Sequence, residues 1–158
     1  MRPLLLNLFL GLIWTALAGE FTSINFVIGL VGGYILIFIF HGALFPNGSY
    51  HKKVFHVIYF FLYFFWELLL SNLRVAHEVL TPKFSMKPGI VGIPLDLKSD
   101  LEITILANLI TLTPGTLSLD VSDDKKTLYV HSMYVKDVDS FRASIKNGFE
   151  KRVQELFQ

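Results

Sequence analysis

Glu67 is the residue of this chain whose placement most suggests ion chemistry. It follows thirteen residues, Val54–Trp66, that are apolar or aromatic except for His56. A carboxylate so placed costs a few kcal/mol if it is charged in hydrocarbon, so it marks a partner, a proton site or the membrane interface. Headgroup depth is the plain alternative. Ser71, Arg74 and Glu78 continue from it at helical spacing as a polar stripe beside Leu68, Leu69, Leu73, Val75 and Val79. The second candidate is the string Thr111–Thr116. Pro114 fixes φ and lacks an N–H, Gly115 permits positive φ, and threonine hydroxyls can satisfy the backbone groups freed by a turn. Those residues suit a packed turn, with an ion-binding loop as the alternative.

Other chemistry finds no support. The five histidines (His41, His51, His56, His77, His131) lack zinc-ligand spacing, and no carboxylate joins the nearest pair, His51 and His56. With no cysteine, a disulfide framework, a thiolate zinc site, a cysteine nucleophile and an iron–sulfur cluster are excluded. No G-x-S-x-G, P-loop or G-x-G-x-x-G string occurs, so no cofactor is expected and a small membrane enzyme is the weakest reading. A formal net charge of +1 without a basic run argues against nucleic acid. An ion path of its own would need several facing ionisable groups within the membrane, and the chain offers Glu67 and His56 at most. The expectation is a component of a transporter rather than the transporter itself.

The elements that must position these residues follow from composition. Of 158 residues, 53% are hydrophobic and only 17% charged, and the mean hydropathy is +0.52. Residues 1–80 hold four Lys/Arg and three Glu, which leaves ten basic and ten acidic groups for residues 81–158. Two solvents are implied: a membrane-embedded helical domain over 1–80 and a hydrophilic α+β domain over 81–158. Residues 4–18 have the apolar core and small-residue exit of a signal peptide, but a second long apolar run begins six residues later, so they read as a first membrane helix. The run Ile24–Phe45 has 22 residues, enough at about 1.5 Å each to cross roughly 30 Å of hydrocarbon. Gly29, Gly32 and Gly33 offer a neighbouring helix a close approach. After the polar turn at 46–53, the aromatic run Val54–Leu70 must contact lipid or other subunits.

Charge places Arg2 and the His51-Lys52-Lys53 turn inside the cell and Glu20 outside. A third full crossing would then carry residues 81–158 outward. They stay cytoplasmic if the third run lies along the interface or re-enters, or if the two lysines are overruled, so the apolar helices number two or three spans.

In the hydrophilic half, a short strand is expected between Pro88 and Leu95, and a helix capped by Ser99 or Asp100 through about Leu112, with Leu101, Ile105, Leu109 and Leu112 on one face. Its β-branched end leaves a strand as the alternative. A hairpin pairs Leu117–Val121 with Thr127–Val135 across the turn Ser122–Lys126. Asp137 caps a last helix carrying Val138, Phe141, Ile145, Phe149, Val153 and Leu156. So few elements enclose a small core that gains stability by docking onto a partner or membrane.

The string Leu106–Leu117, which includes Asn108 and the Thr113-Pro114-Gly115-Thr116 core, resembles the E subunit of multisubunit sodium/proton antiporters of the Mrp (Mnh) type. Its setting agrees: Asn7 and Trp14 in a short first helix, a glycine-bearing second run, an aromatic third run followed by Glu67, Ser71 and Ala76, the Pro88-Gly89-Ile90 and Pro94-Leu95 link, and Leu128-Tyr129-Val130-His131 in the second hairpin strand. The resemblance implies a hetero-oligomeric complex in the cell membrane that exports Na⁺ or Li⁺ in exchange for H⁺. It implies large complex-I-like membrane subunits and small membrane subunits as partners, an accessory role, and a cytoplasmic carboxyl-terminal domain. It supplies no catalytic residue; Glu67, Asn108, Thr113, Pro114, Gly115 and Thr116 are candidate structural or subunit-contact positions. The competing reading is a membrane-anchored adaptor whose soluble domain binds a partner unrelated to transport.

Overall fold

The computed structural model describes residues 2–40, 50–82 and 86–157. Its contacts form two compact units, Met1–Phe55 and His56–Gln158.

The first unit is built on helices α1 (Arg2–Leu17) and α2 (Ser23–Ile39). Thr22 caps α2, its hydroxyl accepting from the Asn25 N–H. The two helices meet along a glycine seam. A Cβ on Gly29 would lie 2.7 Å from Trp14 Cβ and 2.9 Å from Gly11 Cα, and one on Gly33 would lie 2.5 Å from Asn7 Oδ1. Gly32 faces open space, so only two of the three α2 glycines serve the close approach that small residues permit in lipid. Thr15, buried, donates to the Gly11 carbonyl at 2.6 Å, and Asn7 donates to the Tyr50 hydroxyl at 3.0 Å. The stretch from His41 through Phe45 expected to continue α2, and the turn residues 46–49, lie outside the described residues.

Helix α3 (Tyr50–Leu80) has 31 residues and is long and apolar enough to cross a membrane by length and composition; α1 and α2 are shorter apolar helices. From His56 on it belongs to the second unit.

There, β1 (Gly89–Pro94), β2 (Thr116–Val121) and β3 (Thr127–Ser132) form an antiparallel sheet in the order β1-β3-β2. Helix α4 (Asp100–Leu112) starts at a capping box: Ser99 Oγ accepts from the Glu102 N–H, and the Glu102 carboxylate accepts from the Ser99 N–H at 3.0 Å. Those bonds hold the Glu102 carboxyl below the usual carboxylate range. The helix is intact through Leu112, and its buried face is Ile103, Leu106, Leu109 and Ile110. The expected face is thereby corrected. Leu101 and Leu112 are about 60% exposed, because residues 103, 106 and 110 turn to the sheet and carry both ends of the expected stripe outward.

Hairpin strand β3 ends at Ser132 rather than Val135, where the Ser132 hydroxyl accepts from the Tyr134 N–H. A bulge between Ser118 and Asp120 leaves Leu117 and Leu119 on the outer face and turns Val121 inward. The last helix runs as α5 (Val138–Ile145), a π turn (Lys146–Glu150) and α6 (Lys151–Phe157), with Asp137 as its cap. Val91, Ile93, Leu106, Leu128, Val130, Ile145, Phe149 and Val153 make the core, and Phe60 of α3 is part of it.

Candidate functional site

Two stripes on opposite sides of α3 govern what it can touch. Phe60, Tyr63, Phe64, Glu67, Ser71, Arg74 and Glu78 fall on one side at steps of three or four residues, and that side meets the α+β elements of its own unit. Tyr63 packs edge-on against Phe149, ring centroids 5.6 Å apart. A Cβ on Gly148 would come 2.7 Å from the Tyr63 hydroxyl, so the glycine admits the ring. Gly148 also carries the non-helical φ/ψ of −86°/−105° inside the π turn, which is where a π-bulge re-aims the helix. Arg152 then lies over the Tyr63 ring at 3.7 Å and donates to the Asn147 and Gly148 carbonyls at 2.7 and 2.9 Å.

Below this clamp opens a cleft of about 650 Å³. Glu67, Ser71, Arg74, His77 and Glu78 line it from α3, and Thr113, Pro114, Thr116, Ser132, Tyr134, Lys136 and Asp137 line it from the turn and the start of α5. Glu67 and the Thr-Pro-Gly-Thr turn, 46 residues apart in the chain, thus share one wall-to-wall space. Asn108 does not join them; it is exposed on the outward side of α4. Gly115 sits behind the lining at φ +91°, with the Tyr134 ring 3.0 Å from where a Cβ would be.

The turn uses its own hydroxyls. Thr113 and Thr116 both direct a hydroxyl at the Ile110 carbonyl, at 2.6 and 2.5 Å, and stand 2.8 Å from each other. Thr111 Oγ1 accepts from the Ser118 N–H, and Ser118 Oγ donates to the Ala107 carbonyl. The cleft also carries Glu67, Glu78 and Asp137 together with Arg74, Lys136 and His77. Ser140, through its hydroxyl and then its N–H, keeps the Asp137 carboxyl below the usual carboxylate range. Arg74 lies 5.6 Å over the Tyr134 ring. Among the described residues no three His, Asp or Glu side chains gather as a metal site.

One ionic cluster had no sequence signal beyond a glycine inside a helical pattern. Lys146 bridges Asp96 at 2.8 Å and Glu150 at 3.0 Å and donates to the Pro94 carbonyl, while Glu150, 3% exposed, accepts from the Asp96 N–H at 2.6 Å. Burial alone would lower the Lys146 pKa, but the two carboxylates raise it above the usual lysine value. The cluster ties the π turn to the end of β1, and Arg142 donates to the Gly92 carbonyl beside it.

Comparison with known proteins places this arrangement. The MNHE family, described as a Na⁺/H⁺ ion antiporter subunit, matches residues 7–156. The chain belongs to this antiporter-subunit family. It is 39% identical over 153 residues to the E subunit of the Na⁺/H⁺ antiporter of Alkalihalophilus pseudofirmus, covering 97% of this chain and 96% of that one. The corresponding Bacillus subtilis protein shows the same identity and coverage. Among solved structures, the chain is similar to one in the Mrp complex from Dietzia sp. DQ12-45-1b, at 34% identity and a TM-score of 0.51, over 65% of this chain and 96% of that one. It is also similar to a chain of the membrane-bound sulfane sulfur reductase, an archaeal respiratory membrane complex, at 32% identity and a TM-score of 0.60 over 99% of both. For a member of the MNHE family, ion transport, antiport, the membrane and a multisubunit complex follow from the family.

Proposed function

We propose that the chain is an accessory subunit of a hetero-oligomeric Na⁺(Li⁺)/H⁺ antiporter, supporting assembly of the complex and cation efflux coupled to proton uptake. The observation that carries this reading is the similarity, over 99% of both chains, to a chain in a respiratory complex whose named reaction is reduction of sulfane sulfur. A chain used in assemblies with different named activities supplies something common to both, which is organisation of membrane subunits rather than cation choice. The residues agree. Between Arg2 and Glu20, and again between Glu20 and His41, no ionisable side chain other than tyrosine occurs, so α1 and α2 provide no relay of acids and bases for a proton. The partners are large complex-I-like membrane subunits and small membrane subunits.

In this reading residues 1–80 are the membrane-embedded part and residues 81–158 a hydrophilic domain on the cytoplasmic side of a multi-pass protein. Thr113, Pro114, Gly115 and Thr116 act as a structural turn, since their hydroxyls are spent on the backbone. Glu67 in the cleft and Asn108 on the exposed side of α4 serve as contacts to other subunits.

The test is purification through a carboxyl-terminal tag in mild detergent, followed by Na⁺- and Li⁺-driven H⁺ exchange in inverted vesicles with and without the chain. Co-purification of larger multi-span proteins, and loss of both exchanges together with loss of the intact complex, is expected. A homo-oligomer that exchanges Na⁺ for H⁺ alone in liposomes would overturn the accessory role.

A further inference from the structure

A helix that crosses a bilayer changes its surroundings along its axis, whereas one that lies in the interface changes them around its axis. Helix α3 follows the second pattern. Ile58, Leu62, Phe65, Leu69, Leu73 and Leu80 stand on one side with exposures of 53, 64, 60, 51, 58 and 84%. At 100° per residue they fall within roughly a quarter-turn of one another, and the stripe is about 33 Å long at 1.5 Å per residue. The opposite side packs on the α+β elements at Phe60, Tyr63 and Phe64 and from Glu67 to Glu78 faces the cleft it shares with them. The charges lie on that domain-facing side: Arg152 at the level of Tyr63, then Glu67, Arg74 and the buried Glu78.

Were residues 56–75 to traverse hydrocarbon, those groups and the attached hydrophilic domain would enter it too, at several kcal/mol for each charge left unpaired. We infer that α3 does not cross the bilayer but lies in its cytoplasmic interface, the Ile58–Leu80 stripe sunk among acyl chains and the α+β domain seated on its back. The occupant of the stripe is lipid, because it is continuous, aliphatic and aromatic over the whole helix, and carries no charge. The conflict in the charge pattern then disappears. With α1 and α2 as the two crossings, Arg2, the Lys52-Lys53 turn and the domain all lie inside, and only the link around Glu20 lies outside. The inference rests on the multi-pass reading proposed above and decides its number of crossings.

Single cysteines answer the question because the chain has none. Glu20→Cys, Lys53→Cys and Asp123→Cys are placed in the assembled complex in native membranes, and an impermeant thiol reagent is applied to intact cells and to inverted vesicles. Expected is labelling of position 20 from outside, with positions 53 and 123 labelled only in inverted vesicles. Opposite sidedness of 53 and 123 would make α3 a crossing and overturn the inference. If 53 and 123 agree but face outward, the in-plane helix stands and the cytoplasmic placement falls. Spin labels at Leu62, Phe65, Leu69 and Leu73 should all be open to oxygen at one depth. A depth that drifts by about 1.5 Å per residue contradicts the in-plane helix, and labels shielded from both oxygen and aqueous relaxants assign the stripe to another protein of the complex and overturn the lipid occupant.

Discussion

The two units of this chain solve the same problem, holding helices together, by opposite means. In the α1–α2 pair the outer faces are apolar and exposed, with Phe9 at 59% and Val31 at 55%, so apolar character does not distinguish the inside from the outside. Cohesion there comes from the removal of side chains at Gly11, Gly29 and Gly33. In the α+β unit a core of leucine, isoleucine, valine and phenylalanine does the work, and the buried carboxylate of Glu150 is held by Lys146. The difference teaches where each unit is fragile: the first at added volume, the second at a lost partner.

The largest expected effect therefore follows from Gly29→Leu. Its Cβ would meet Trp14 Cβ at 2.7 Å and the Gly11 backbone at 2.9 Å, and backbone cannot yield as a side-chain tip can. The helix pair should part, at or beyond the roughly 1–3 kcal/mol of an overpacked core, and the chain should vanish from the purified complex. Gly32→Leu, with open space around it, should assemble normally. Equal behaviour of the two variants would remove the seam from the account.

Next in size is Lys146→Met. It strands Glu150, 3% exposed, without its cation, and breaking a buried pair costs roughly 3–5 kcal/mol. The lower end applies because Lys146 keeps 27% side-chain exposure. Limited proteolysis of residues 81–158 within the assembled complex reads the loss. The same lysine sets a pH limit. Its folded pKa is raised, so its contribution is complete below the unfolded value of about 10.4 and is lost as pH rises through the folded one. The gap in protease resistance between wild type and Lys146→Met should hold to about pH 10 and close above it; a gap constant to higher pH contradicts the assignment.

Much of this unit was legible from the chain alone because its signals are local. Ser99 and Asp137 announce helix starts within three residues, and Ser122–Lys126 announces the hairpin. What was not legible depends on residues far apart. The buried face of α4 is chosen by the sheet, so Leu101 and Leu112 turn outward despite their spacing. Nothing in the spacing tells that Glu67 and Thr113–Thr116 share a cleft, or that Tyr63 lies under Arg152. The π turn had one local hint, a glycine inside a helical period at 148, whose meaning appears only once the Tyr63 hydroxyl is against it. Gly115→Ala tests the legible kind. Positive φ and the Tyr134 ring at 3.0 Å predict a loss of about 1–3 kcal/mol, seen as faster proteolysis at unchanged antiport in the surviving complex.

The smallest effect decides between two surface terms at Lys125. Its ammonium reaches Asp100 at 2.6 Å, but the two side chains are 57 and 74% exposed, and such pairs contribute roughly 0.2–1 kcal/mol, less in salt. Its backbone stands at φ 57°, in the left-handed region, which costs a non-glycine residue about 1–2 kcal/mol. Lys125→Ala removes the bridge and keeps the strain, so it should lower stability by no more than the pair is worth. Lys125→Gly removes both. Strain exceeds an exposed ion pair, so the glycine variant should equal or exceed wild type in protease resistance, by about 0.5 kcal/mol once glycine's greater chain entropy is set against the relief. A glycine variant less stable than the alanine one would mean that the hairpin end is held by its charge rather than limited by its backbone. The second unit would then depend on an exposed partner as well as on its buried ones.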